Sequence, residues 1–185
     1  MESTFIESYD GIATPEYCDK MIAKYEELAQ LSSPVYGEDQ HNGVQQRKDQ
    51  CLYFERLAEP LCHDTHQFLD TALRQYMEKY PSLKMCSFSS NHVKVQKTPP
   101  KGGFHVWHCE DGVGNTVNSR ILAWTIYLND MPEGEGETEF LEFGVKVAAK
   151  KGRISFFPSA FTHTHRGNPV YSHDKYIATG WYYFQ

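Results

Sequence analysis

The feature that most constrains this chain is a change of hydrophobic period at Pro81. Before it, apolar residues recur at spacings of three and four, as on one face of a helix; after it they alternate in short runs, as on half-buried strands. Thr14-Pro15-Glu16 reads as an N-cap followed by proline at the first helical position. Cys18, Met21, Ile22, Tyr25, Leu28 and Ala29 then form one apolar face, ending near Leu31 to Pro34. A second helix is predicted from Glu59 or Pro60 to Tyr80, with Leu61, Phe68, Leu69, Ala72, Leu73 and Tyr76 as its stripe. Pro81 stops it, because proline has no N–H to give the helix ladder. The polar stretch between them, Tyr36 to Gln50, reads as a long loop.

Beyond Pro81, strands are predicted at 92–96, 104–108, 120–128, 138–143, 145–147, 153–157, 163–165 and 176–184. Short strands punctuated by Gly- and Pro-rich turns belong to a sandwich or barrel. The helices would pack outside it. No repeat, low-complexity tract or linker interrupts the chain. The expectation is a single α+β domain over residues 1–185, helical to about residue 82 and β from about 84 to 184.

Composition narrows the function classes. A length of 185 residues fits one domain, and 40% hydrophobic residues can supply its core. With 14% aromatic residues and a net charge of −6, the chain is neither disordered nor a basic domain wrapped on phosphates, so no nucleic-acid partner is expected. No run approaches the roughly 18 apolar residues of a membrane span, and Met1-Glu2-Ser3-Thr4 lacks a signal-peptide pattern. Cys18, Cys51, Cys62, Cys86 and Cys109 are odd in number and form no Cys-x-x-Cys pair. A reducing, cytoplasmic location is therefore expected, with no disulfide framework.

The chemistry clusters in the β half. His108 and Glu110 stand two apart, so on a strand they share a face and can aim an imidazole nitrogen and a carboxylate oxygen at one point. One histidine from another strand would complete a facial triad of two imidazoles and a carboxylate, the donor set of non-haem Fe(II) oxygenases. His163 and His165 both offer themselves, and on a regular strand they share a face too. His105, three residues from His108, faces elsewhere. Trp107 is either a core or rim aromatic or a surface for substrate, and Arg120 either an ion-pair residue or a substrate contact.

Five segments in order resemble the Fe(II)/2-oxoglutarate-dependent oxygenases, and within them the prolyl 4-hydroxylase-like branch. They are Phe104-His105-Val106-Trp107-His108-Cys109-Glu110-Asp111; Arg120 to Asp130, with Tyr127-Leu128-Asn129-Asp130; Gly136-Glu137-Thr138-Glu139-Phe140; Gly152-Arg153-Ile154-Ser155-Phe156-Phe157-Pro158; and the ending His165-Arg166-Gly167-Asn168-Pro169-Val170 with Lys175-Tyr176-Ile177-Ala178-Thr179-Gly180-Trp181. The similarity covers about residues 90–184. It implies a double-stranded β-helix, or jelly roll, with the N-terminal helices on its larger sheet. It also implies Fe(II), 2-oxoglutarate as co-substrate and O₂, used to hydroxylate a C–H bond.

The resemblance assigns roles by position. His108, Glu110 and His165 would hold the iron; His165 rather than His163, because the family's ligand stands four residues before the Pro-Val proline and ten before the lysine. Lys175 would pair with the far carboxylate of 2-oxoglutarate, with Thr138 adding a hydroxyl. The family's usual aspartate ligand is Glu110 here, with Asp111 beside it as the alternative. Where prolyl hydroxylases often carry a tyrosine, this chain reads Val95-Gln96-Lys97-Thr98, and Gln96 would serve as the donor. The implied substrate is a prolyl residue in a peptide or protein. A free amino acid or small metabolite, a binding jelly roll with a decayed site, and a cupin-type enzyme are the rivals. Tyr36 to Gln50 and Asp111 to Ser119 would be lid loops.

Overall fold

The computed structural model describes residues 3–31, 35–41, 44–54, 59–111 and 120–185. Among them are twelve strands: β1 (Glu7–Tyr9), β2 (Val35–His41), β3 (Val44–Tyr53), β4 (Phe88–Ser89), β5 (Lys94–Thr98), β6 (Gly103–His108), β7 (Arg120–Tyr127), β8 (Thr138–Phe140), β9 (Val145–Val147), β10 (Ile154–Pro158), β11 (His165–Gly167) and β12 (Lys175–Phe184). The helices are α1 (Pro15–Leu31) and α2 (Glu59–Lys79). All strand pairs are antiparallel, in the order β1-β10-β7-β12-β5-β3-β6-β11-β8-β9, with β2 on β3 and β4 on β12. The sheet curls into a jelly roll because β3 serves two neighbours. Its Gln50–Tyr53 end pairs with β5, and its Arg47 and Lys48 pair with β6.

Both helices form where the periodicity places them. The Thr14 hydroxyl accepts the Tyr17 backbone N–H at 3.2 Å, which caps α1. Strand alternation then explains what the helices cover. On β7, Leu122, Trp124 and Ile126 face the helices; on β12, Tyr176, Ala178 and Tyr182 do the same; on β10, Ile154 and Phe156. They meet Tyr17, Met21 and Tyr25 of α1 and Leu69, Ala72 and Tyr76 of α2 in one buried core. A polar clamp fixes α1 laterally. Lys97 of β5 pairs with Glu26 at 2.9 Å and Asp174 at 3.0 Å, and Glu26 also accepts the Tyr176 hydroxyl. The alternate residues of the same strands face inward, toward a cavity and a smaller cluster of Ala123, Tyr127, Phe140, Val147, Ala149 and Phe157.

Two expectations are corrected here. Residues 36–50 are not a long loop: β2 and β3 form an antiparallel hairpin there. On β3, Arg47 lines the cavity and Asp49 is buried beside it, so no apolar alternation marks this stretch as strand. The segment 163–165 is not one strand either. Phe161–His163 is a turn of 3₁₀ helix and β11 begins at His165, so the two histidines do not share a strand face. The other loop, Asp111 to Ser119, lies outside the described residues after Asp111. Among the described residues, no helix is long and apolar enough to cross a membrane.

Gly180 marks the tightest packing of sheet against strand. A Cβ there would collide with the His92 carbonyl and come within 2.5 Å of the Trp124 ring. Gly180→Ala is expected to cost about 1–3 kcal/mol. That lowers Tm by roughly 3–10 °C in a domain of this size, measured by thermal unfolding.

Candidate active site

The cavity holds about 400 Å³ between the two layers of the roll, within the range of small-molecule sites. Its inward rungs come from period two. β12 contributes Lys175, Ile177, Thr179 and Trp181; β5 contributes Lys94, Gln96 and Thr98. The register places Lys175 opposite Thr98, Ile177 opposite Gln96 and Thr179 opposite Lys94.

At one end His108 of β6 and His165 of β11 are direct cross-strand partners. Their rings lie 4.5 Å apart, as side chains opposite each other on one face should. Glu110 follows β6, where its N–H and that of Asp111 both donate to the Ser159 carbonyl, at 3.1 and 2.9 Å. That anchor turns Glu110 into the pair. One ligand atom from each of His108, Glu110 and His165 lies within 4.8 Å of the others.

The hydrogen bonds behind the imidazoles decide what they offer. His108 Nδ1–H donates to the Val106 carbonyl and His165 Nδ1–H to the His163 carbonyl, each at 2.9 Å. A carbonyl only accepts, so each proton sits on Nδ1 and each Nε2 turns its lone pair inward. His108 Nε2 is 3.6 Å and His165 Nε2 3.2 Å from Glu110 Oε1. Three Lewis bases thus converge with no proton of their own between them, which is what a divalent cation requires. Burial would push the Glu110 carboxyl up; with no cation between the groups, it is held well below its ordinary value by imidazoles that carry a second proton on Nε2 and donate it to Glu110, the place a metal ion would take. The residues therefore fit a metal with two nitrogen ligands and one oxygen ligand.

Lys175 lines the other end, 7% exposed. Among the described residues its ammonium has no ion pair; it stands 5.5 Å over the Tyr127 ring. Burial pushes it down to about 8, against a smaller opposing pull from Glu137. Thr138, also on the cavity, shares a 2.8 Å hydrogen bond with the Tyr127 hydroxyl. Gln96 lies on the rung between Lys94 and Thr98.

All six residues singled out in the sequence therefore meet in one cavity. The structure adds others. Trp181 Nε1–H donates to Glu110 Oε2 at 2.7 Å. The Arg120 guanidinium stacks on Trp181 at 3.9 Å and donates to the Glu110 carbonyl at 2.7 Å. Arg47 enters from β3 on a 2.9 Å pair with buried Asp49. The Thr-x-Trp spelling carried a signal for Trp181, but nothing in the sequence pointed to Arg47. The imidazole of His163 turns away, donating to the Thr4 carbonyl at 2.8 Å; what reaches the site is its backbone oxygen. Trp107 faces outward beneath Arg166, at 4.4 Å.

Residues 93–183 match the family model of the 2OG-Fe(II) oxygenase superfamily. Over that segment the chain belongs to the 2OG-Fe(II) oxygenase superfamily. Its cofactor is Fe(II), and 2-oxoglutarate and O₂ are its co-substrates. No curated protein matches the chain in sequence. Among solved structures, a viral collagen prolyl hydroxylase from Paramecium Bursaria Chlorella virus-1, in its 2OG complex, is 21% identical, with a TM-score of 0.73 over 97% of this chain and 96% of that one. A Pseudomonas putida prolyl-4-hydroxylase is 18% identical, with a TM-score of 0.75 over 99% and 94%. A Trichoplax adhaerens prolyl hydroxylase, in complex with a hypoxia inducible factor peptide fragment, is 16% identical, with a TM-score of 0.73 over 98% and 84%. These likenesses establish the double-stranded β-helix.

Lys175 generates a stability prediction. A buried ammonium held near 8 rather than 10.5 burdens the charged form by about 3 kcal/mol. Below pH 8 the folded chain carries that full burden. Between pH 8 and 10.5 only the unfolded chain holds the proton, so stability gains from rising pH. Lys175→Met is expected to raise the Tm of the ligand-free protein by several degrees at pH 7, with the gain shrinking toward pH 10. Scanning calorimetry across that range checks it.

Proposed function

We propose that this oxygenase hydroxylates a prolyl residue in a peptide or protein, with His108, Glu110 and His165 as iron ligands and Lys175 as the anchor for 2-oxoglutarate. The observation that carries the reading is the pairing of opposites in one cavity. A cluster of Lewis bases stands at one end and an uncompensated ammonium at the other. A diacid with a 2-oxo group is built to span them: one carboxylate for the ammonium, the 2-oxo acid for the metal. The support for proline is the fold shared with three prolyl hydroxylases.

When bound, Fe(II) with 2-oxoglutarate would supply the oxidising power for C–H hydroxylation. The chain's own residues do the rest. The Val106 and His163 carbonyls hold both imidazoles in the tautomer that presents Nε2. The Trp181 indole fixes Glu110 Oε2, leaving Oε1 toward the imidazoles. Tyr127 and Thr138 hold each other beside Lys175, whose charge orients the co-substrate. Gly136, at φ +63°, leaves room for Lys175, since a Cβ there would stand 2.9 Å from Lys175 Cδ. Phe104 and Phe157 pack on the imidazoles, with rings at 4.0 Å from His108 and 4.7 Å from His165, and keep water from that side.

The test is an anaerobic titration with Fe(II) and 2-oxoglutarate, followed in the visible spectrum. Bidentate chelation by the 2-oxo acid gives a weak charge-transfer band. The band is expected in the wild type and absent in His165→Ala; iron binding without a band would overturn the role of Lys175. The apparent affinity for 2-oxoglutarate should fall as pH rises through about 8, where Lys175 loses its proton. Succinate release should then be stimulated by proline-containing peptides and not by their alanine counterparts.

Trp181→Phe removes one hydrogen bond to Glu110 and keeps an aromatic ring. Losing such an outer partner typically costs about 10–100-fold in metal affinity. That loss is expected in a competitive Fe(II) titration, with little change in Tm.

A further inference from the structure

Besides Lys175, three cations line the cavity wall: Arg47 from β3, Lys94 from β5 and Arg120 from β7. They run against the composition, for the chain carries a net charge of −6. Two are already engaged. Arg47 donates Nε–H to both carboxylate oxygens of Asp49, at 2.9 and 3.0 Å, and Arg120 holds the Glu110 carbonyl, pairs with Glu110 Oε2 at 3.5 Å and stacks on Trp181. Lys94 is not. Among the described residues its ammonium has no hydrogen bond and no ion pair; the Trp181 ring lies 5.9 Å away, and the Asp49 and Glu110 carboxylates act on it without pairing. Burial pushes it down, the nearby Arg47 charge adds to the effect, and Cys51, Asp49 and Glu110 oppose it more weakly. A half-buried ammonium with no carboxylate in hydrogen-bond reach is costly, and the cost is relieved when a ligand brings one.

Position says which ligand. Lys94 stands opposite Thr179, four residues along β12 from Lys175, a strand distance of roughly 13 Å. It sits one inward rung from Trp181, which bonds Glu110. Lys94 therefore belongs to the triad end of the cavity, where a substrate must present the bond to be oxidised. We propose that the substrate places a carboxylate on Lys94, flanked by Arg47 and Arg120, next to the group that is hydroxylated. This rests on the oxygenase reading of the same cavity and narrows its substrate class to carboxylate-bearing molecules. The carboxylate has two sources: an Asp or Glu side chain beside the target residue of a peptide, or the free α-carboxylate of an amino acid or chain end.

The experiment measures binding before turnover. Anaerobic protein with Mn(II) and 2-oxoglutarate is titrated with three ligand sets while tryptophan fluorescence is followed. The sets are end-blocked Xaa-Pro peptides with Asp or Glu as neighbour, the same peptides with Asn or Gln, and free L-proline beside its amide. At least tenfold tighter binding of the acid over the amide is expected in either the blocked-peptide or the free-acid arm, and the arm that shows it identifies the source. Lys94→Met should abolish the preference and Lys94→Arg should retain it, with 2-oxoglutarate affinity within twofold of wild type in both. Equal binding of acid and amide in every arm overturns the proposal. So does a preference that survives Lys94→Met, or a Lys94→Met variant that loses 2-oxoglutarate instead, which would make Lys94 a co-substrate residue. The two readings fail separately. Acid preference without 2-oxoglutarate turnover in air sinks the oxygenase reading alone, and turnover without acid preference sinks only the substrate class.

Discussion

The burial of one carboxylate between two imidazoles is the interaction on which the rest of the site depends. Glu110 is desolvated, and it stays ionised only with positive charge beside it, supplied by a metal ion or by a second proton on His108 and His165, which stand opposite each other on β6 and β11. A charge in that position is tolerable only if every oxygen has a partner. Oε1 faces the imidazoles, Oε2 takes the Trp181 indole, and the backbone around Glu110 is tied to Ser159 and Arg120. The price of holding this charge in the roll is therefore spread over four strands and the turn after β10. The same framework aims the donor atoms that suit the cluster to a metal ion.

The two faces of the central strands divide stability from chemistry. β7 and β12 put large apolar residues toward α1 and α2 and spend their alternate positions on the cavity. Trp124 and Tyr182 belong to the core, and Thr125, Lys175 and Trp181 to the site. A one-residue slip of register would exchange the two sets. The clamp of Lys97, Glu26 and Asp174 and the close approach at Gly180 oppose such a slip. The helices thus take no direct part in the cavity but hold the strands in the phase that builds it.

How far the site was legible depends on whether its residues lie close in the chain. His108 and Glu110 were readable because period two is a local rule. Lys175 and His165 were readable through the order of five weak segments. His163 was not separable from His165 by spacing, since the 3₁₀ turn that parts them comes from how Ala160 to Thr164 packs after β10. The hairpin of β2 and β3 was read as a loop because the inward Arg47 and the buried Asp49 of β3 are polar, and polarity erases the alternation that marks a strand. Arg120 looked equally like an ion-pair residue or a substrate contact, and its stacking on Trp181 follows from pairing between β7 and β12, which no local pattern encodes.

By itself, the sequence determined the break at Pro81, both helices, most of the strands, the family and the three candidate ligands, because each rests on neighbours in the chain or on motif order. Only the tertiary structure decided that β3 would bridge two strands and bring Arg47 into the cavity. Only it set Trp181 on Glu110 and left Lys94 and Lys175 without carboxylate partners among the described residues. The reason is physical. Hydrophobic period is a property of a few consecutive residues, whereas the partner of a buried charge is set by strand register between segments far apart in the chain.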